Sequence, residues 1–75
     1  MPYRFIRTNE LTGRFQEDNP GNSSRLWIDI LNDAVNQAAS NGGKVVSVGY
    51  DQMGEPMSIL FDVAADAPVA FWSKL

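Results

Sequence analysis

From Trp27 to Ala38 the chain sets an apolar residue at every third or fourth position: Trp27, Ile30, Leu31, Ala34, Val35 and Ala38. That spacing lays one apolar stripe along a helix and leaves Asp29, Asn32, Asp33, Asn36 and Gln37 on the wet side. No other feature restricts the fold so strongly, because a stripe of this kind must be covered by a second layer. Ser23 or Ser24 is placed to cap the first amides. Asn41-Gly42-Gly43 closes the helix, since glycine takes the left-handed terminal conformation without steric cost. Alanines at 34, 38 and 39 are small enough to let the helix lie close to a sheet.

The covering layer follows at once. After Gly43 the period changes to two. Lys44 to Asp51 reads as a strand with Val46, Val48 and Tyr50 on one face and Val45, Ser47 and Gly49 on the other. Gln52 to Pro56 turns the chain, with Gly54 free to take a positive φ. Met57, Ile59, Phe61 and Val63 then alternate with Ser58, Leu60 and Asp62. This hairpin has one strongly apolar side, which belongs under the helix. Upstream, YRFIRT (residues 3 to 8) reads as a further strand, Tyr3 and Phe5 facing one way and Arg4, Ile6 and Thr8 the other. The polar segment 9 to 22 between them offers two readings. Gly13 before Arg14-Phe15-Gln16 permits a short returning strand; alternatively the segment is a loop with Phe15 tucked against the body. Asn19-Pro20-Gly21 is a breaker in either case.

The fold class expected is α+β, in the order β-α-β-β: one amphipathic helix packed on one face of a small, three- to four-stranded, mainly antiparallel sheet. A right-handed crossover makes the first strand parallel to the strand after the helix. The last strand of the hairpin then fits between those two, the competing order having the two parallel strands adjacent. The 75 residues make a single domain, in which residues 67–75 form a tail that is an edge strand or a dimer arm.

A domain of this length buries only about 60% of the surface its unfolded chain exposes, so a supplement to the core is usual. The chain has no cysteine and no histidine. Disulfides, thiolate metal sites and the common imidazole ligands are thereby excluded, and association with another copy is the supplement that remains. The expectation is therefore a homo-oligomer with no cofactor and no metal. A net charge of −3 argues against general nucleic-acid binding, which needs a basic face. Apolar runs are too short for a membrane span, and the opening MPYRFIR lacks the apolar core of a signal peptide. A cytoplasmic location follows.

One helix covers one face of the sheet, which leaves Ile6, Val45 and Leu60 on the other face among polar neighbours. Val69, Phe71 and Trp72 lie beyond Pro68, which a central strand cannot contain. These six residues are the candidate partner or dimer interface, with folding of the tail onto its own subunit as the alternative. Asn22, Ser23, Ser24 and Arg25 precede the helix and form a candidate anion-binding turn, although the ending of a P-loop is absent. Arginines 4, 7, 14 and 25 provide a candidate polyanion surface diluted by Glu10, Glu17 and Asp18. Asp29 and Asp33 fall on the solvated side of the helix, and Tyr50-Asp51 reads as a turn-stabilising pair. Without histidine or cysteine no serine has its usual activating base, so no catalytic residue is assigned and no enzyme activity is expected.

Tyr3-Arg4-Phe5, Leu31-Asn32, Gly42 with Val45-Val46-Ser47-Val48, and Ile59-Leu60-Phe61 together form a pattern that resembles a small bacterial and phage domain-of-unknown-function family. Its members run from a Tyr-Lys-Phe strand through a leucine- and asparagine-bearing helix to a Gly-Trp-Glu-Leu-Val-Ser-Val strand. The resemblance implies a strand-helix-hairpin fold and carries no activity with it. The function expected is a non-catalytic protein-interaction module, phage-encoded or regulatory, docking on a host protein as a dimer. The alternative is a small-ligand binder taking a nucleotide or anion at the 21–25 turn. A nucleic-acid-associated protein comes third.

Overall fold

The computed structural model describes residues 2–21 and 24–75. The elements run β1 (Tyr3–Arg7), α1 (Thr8–Asp18), α2 (Trp27–Ser40), β2 (Gly43–Tyr50), β3 (Pro56–Val63) and α3 (Val69–Trp72). The class is α+β, with a three-stranded antiparallel sheet ordered β1-β3-β2. β3 lies between the other two strands and antiparallel to both. This is the expected split arrangement. The expected β-α-β-β order with a single helix needs correction, since the described residues form three helices: α1 occupies the segment read as a returning strand or loop, and the tail forms α3, not an edge strand.

α1 forms because Thr8, Leu11, Thr12 and Phe15 recur at three- and four-residue steps. Leu11 is fully buried and Phe15 packs against the core, so the tucking of Phe15 is right while the secondary structure around it is not. Thr8 ties the start of α1 to the sheet, its Oγ1 donating to the carbonyls of Pro56 at 2.9 Å and Met57 at 3.2 Å. Arg14 Nε donates to Asp18 Oδ2 at 3.0 Å, one turn on, and Gln37 Nε2 reaches the same oxygen at 2.8 Å. The end of α1 therefore lies beside the end of α2. The two helices run in the same direction. α2 buries Ile30, Leu31, Ala34 and Ala38, four positions of the expected stripe. Its N-cap is Leu26 with no side-chain cap. Ser24 therefore does not cap the helix, and Ser23 lies outside the described residues. At the other end Gly42 has φ 87°, the left-handed close that a side chain would strain.

The cross-strand pairs show which face is buried. Ile6 pairs with Ile59 and Ile59 with Val48; Ile6, Ile59, Phe61 and Val63 are all in the core. Opposed residues share a face, so Ile6 and Arg4 face the helices while Tyr3, Phe5 and Arg7 face away. That reverses the expected phase of β1. On β2 the register shifts between Val45, opposite Phe61, and Ser47, opposite Leu60. Val46 is the extra residue of a β-bulge. Val45 and Val48 both oppose core residues, and the bulge takes Val46 out of the expected Val46-Val48-Tyr50 alternation.

The residues after Pro68 close the structure. Trp72 has no exposed surface and Phe71 is buried. The indole lies edge-on to Phe61 at 5.4 Å and to Phe71 at 5.1 Å, and its N–H donates to the Asn41 carbonyl at 2.8 Å. Arg4 donates to the carbonyls of Trp72 at 3.2 Å and Leu75 at 2.9 Å. Arg14 donates to that of Phe71 at 3.0 Å, with its guanidinium 4.7 Å from the Phe71 ring. The tail thus folds onto its own subunit, and Phe71 and Trp72 are core residues that offer nothing to a partner.

Two glycines give opposite expectations. A Cβ on Gly43 would stand 2.6 Å from the Trp72 ring, so Gly43→Ala should lower stability in urea by about 1–3 kcal/mol through overpacking. A Cβ on Gly13, inside α1, meets nothing within 4 Å. Gly13→Ala should raise stability by about 0.5–1 kcal/mol. The Asp18 carboxyl is held below its ordinary value of 3.8, by the Arg14 hydrogen bond first and that of Gln37 second. A carboxylate whose pKa is lower folded than unfolded contributes stability above the unfolded value and loses it as pH falls through the folded one. Asp18→Asn should therefore lower the melting temperature at neutral pH, and the gap to the unsubstituted chain should narrow as the solution is acidified below 3.8.

Candidate functional site

β1 and β2 both end, and α1 and α2 both begin, at the same edge of the molecule as the β2–β3 turn. A half-open cleft of about 800 Å³ lies there, lined by Arg7, Thr8, Asn9, Trp27, Asp51, Glu55, Pro56, Met57 and Ser58. Each wall has a local cause. Arg7 faces outward because Ile6 takes the core side of β1. Trp27 sits at the first position of α2, one turn before Ile30, the first stripe residue to be fully buried; it remains 39% exposed. Met57 is left without a partner on β2 where the β2–β3 pairing shifts register, and it is exposed.

The turn is held by Asp51, whose Oδ1 accepts the amides of Met53 at 2.9 Å and Glu55 at 3.0 Å. Its own amide donates to the Glu55 carbonyl at 2.9 Å. Asp51 thus shapes the cleft rim, in keeping with the turn-stabilising reading of Tyr50-Asp51. Chemically the cleft combines the apolar surfaces of Trp27, Pro56 and Met57 with one cation at Arg7 and two carboxylates at Asp51 and Glu55. This combination suits binding an amphipathic side chain. The described residues contain no group of three or more Asp and Glu placed to hold a metal ion.

The residues singled out in the sequence do not converge here. Ile6 is 1% exposed in the core, so it is no interface residue; Phe71 and Trp72 are accounted for above. Leu60 stays on the open sheet face, half-buried. Val45 lies opposite Phe61 and not beside Leu60, and Val69 is exposed on α3. Of the anion-binding turn, Asn22 and Ser23 lie outside the described residues; Ser24 and Arg25 are exposed. Arg25 is paired with Asp33 at 2.6 Å. The four arginines do not form one surface, because Arg4 and Arg14 hold the tail and Arg25 meets Asp33. Only Arg7 lines the cleft. No helix among the described residues is long and apolar enough to cross a membrane.

The two tryptophans should report these opposite environments. In a Trp27→Phe variant the remaining indole, Trp72, should emit at short wavelength and resist acrylamide quenching. In Trp72→Phe the remaining Trp27 should emit further to the red and quench readily. Equal quenching in the two variants would contradict the burial of Trp72. Comparison with protein-family models, with curated proteins and with solved structures finds no match for this chain.

Proposed function

We propose that this chain is a non-catalytic protein-interaction module of the cytoplasm, regulatory or phage-encoded, which docks on another protein as a dimer. The observation that carries this reading is Trp27, held part-exposed at the wall of the cleft. Helix α2, the Thr8 tie and the Asp51 turn all fix that wall. Tryptophans in such positions are favoured binding hot spots, because they offer a large surface with little side-chain freedom to lose. Met57 and Pro56 extend the apolar floor, and Arg7 beside Asp51 and Glu55 gives the rim polarity in both signs. The resemblance to the bacterial and phage domain family supports only the regulatory or phage setting of this proposal.

The test is capture from bacterial lysate on the immobilised full chain, run beside Trp27→Ala and Met57→Ala, followed by titration of the purified captured protein. A partner that binds the unsubstituted chain should lose roughly thirtyfold in affinity with Trp27→Ala, the scale of a hot-spot truncation. Circular dichroism and melting of the variants should stay close to those of the unsubstituted chain. Equal binding by Trp27→Ala would refute the cleft as the docking site. A melting temperature that rises with nucleotides, and ceases to rise in Arg25→Ala, would replace this reading with small-ligand binding at the 21–25 turn.

A further inference from the structure

The side of the sheet away from the helices carries three complete cross-strand rows. Arg7, Ser58 and Gly49 form one end; Phe5, Leu60 and Ser47 the middle; Tyr3, Asp62 and Lys44 the other end. Phe5 is 71% exposed and Tyr3 60%, so among the described residues no element of the chain lies over them. We propose that this face is a homodimer interface, two copies packing sheet to sheet about a two-fold axis that crosses the strands at the Phe5-Leu60-Ser47 row.

Three observations favour a second copy over an unrelated partner. The first is self-complementarity. The axis keeps each strand over its counterpart and exchanges the two ends of the face. Arg7 of one copy comes over Tyr3 of the other, next to that copy's Asp62, where a guanidinium can stack on the ring or meet the carboxylate. Lys44 comes over Gly49, which has no side chain to obstruct it, and Phe5 and Leu60 of each middle row meet their counterparts. An isologous interface requires this match of a surface with its own inverted image.

The second is area. The molecule is a slab with extents of 34 × 30 × 16 Å, the thin direction being that of one helix layer on one sheet. The sheet face itself, three strands of which the longest have eight residues, spans roughly 14 × 26 Å, which suits a compact two-fold contact at the low end of specific interfaces. Sheets packed in this way stand about 10 Å apart, with their inner side chains forming a shared core. The third is need. The sequence has no cysteine for a disulfide, and a domain of this size is helped by a second core.

The proposal specifies the partner surface within the interaction-module reading and rests on it for the dimer; the two can fail separately. The test is sedimentation equilibrium of the full chain from micromolar to millimolar concentration. Beside it run Phe5→Lys, Arg7→Glu, Asp62→Lys and the double variant Arg7→Glu/Asp62→Lys, each checked for folding by circular dichroism and melting. The unsubstituted chain should be a dimer, and Phe5→Lys should raise the dissociation constant by roughly thirtyfold or more. Each charge reversal should weaken the dimer, and the double variant should restore it. A monomer throughout the range overturns the proposal. So does a dimer that Phe5→Lys leaves intact, or a double variant no tighter than its two parents. A monomer that still captures a partner through Trp27 removes the dimer and keeps the module. A Phe5-dependent dimer with no Trp27-dependent partner does the reverse.

Discussion

The packing of Trp72 is the contact on which the rest of this structure depends. Its ring touches Phe61 at the centre of the sheet and fills the space left by the missing side chain of Gly43. Its N–H takes the carbonyl at the end of α2. Three elements distant in sequence are thereby joined by one side chain. Burying it is worth several kcal/mol, and truncating such a residue costs about 3–5 kcal/mol, against about 5–15 kcal/mol for a whole domain. Arg4 and Arg14 then bind the backbone carbonyls around it from β1 and α1. Two of the four arginines are therefore absorbed by the fold, which is why the basic first third of the chain does not make a basic surface.

The parts of the fold that were legible are those where the pattern has one phase. The stripe of α2, its glycine close and the alternation of β3 each admit a single reading, while connectivity left two strand orders, of which the split one is found. β1 has two. Tyr3-Arg4-Phe5-Ile6 places an apolar residue on either side, and the choice turns on whether Arg4 can be satisfied beside the core. It can, because the carbonyls of Trp72 and Leu75 come within reach, but that is a contact across almost the whole chain and no local pattern contains it. α1 was hidden for another reason. Gly13 reads as turn chemistry, and half of the buried stripe is threonine, which hydropathy does not count as apolar; the Leu11–Phe15 and Arg14–Asp18 spacings of four were the signals of a helix.

The candidate site was less legible than the fold. Both tryptophans sit in helical or near-helical apolar settings, and the one that looked like a free anchor is buried while the one that looked like core lines the cleft. The difference is a boundary effect. Trp27 begins α2 at the limit of the sheet layer, whereas Trp72 ends a short helix folded back over the centre. Stripe position reports which side of a helix faces inward; it does not report whether there is anything beyond the end of the helix to cover the residue. Met57 escaped notice on β3, where the register shift leaves it unpaired with β2.

The bulge at Val46 limits how the sheet can be extended. β2 is an outer strand, eight residues long and rich in valine, the kind of margin that recruits foreign chains into continuous ladders and eventually fibres. Its pairing with β3 shifts at Val46, a surplus residue on β2, and again between Gly49 and Tyr50, where the surplus residue is Met57 on β3. A bulge bends the strand that carries it and sharpens its twist, so a straight incoming strand meets a kinked margin at Val46. A valine-rich border that would otherwise seed aggregation is made a poor template by one surplus residue, at no cost to the core behind it.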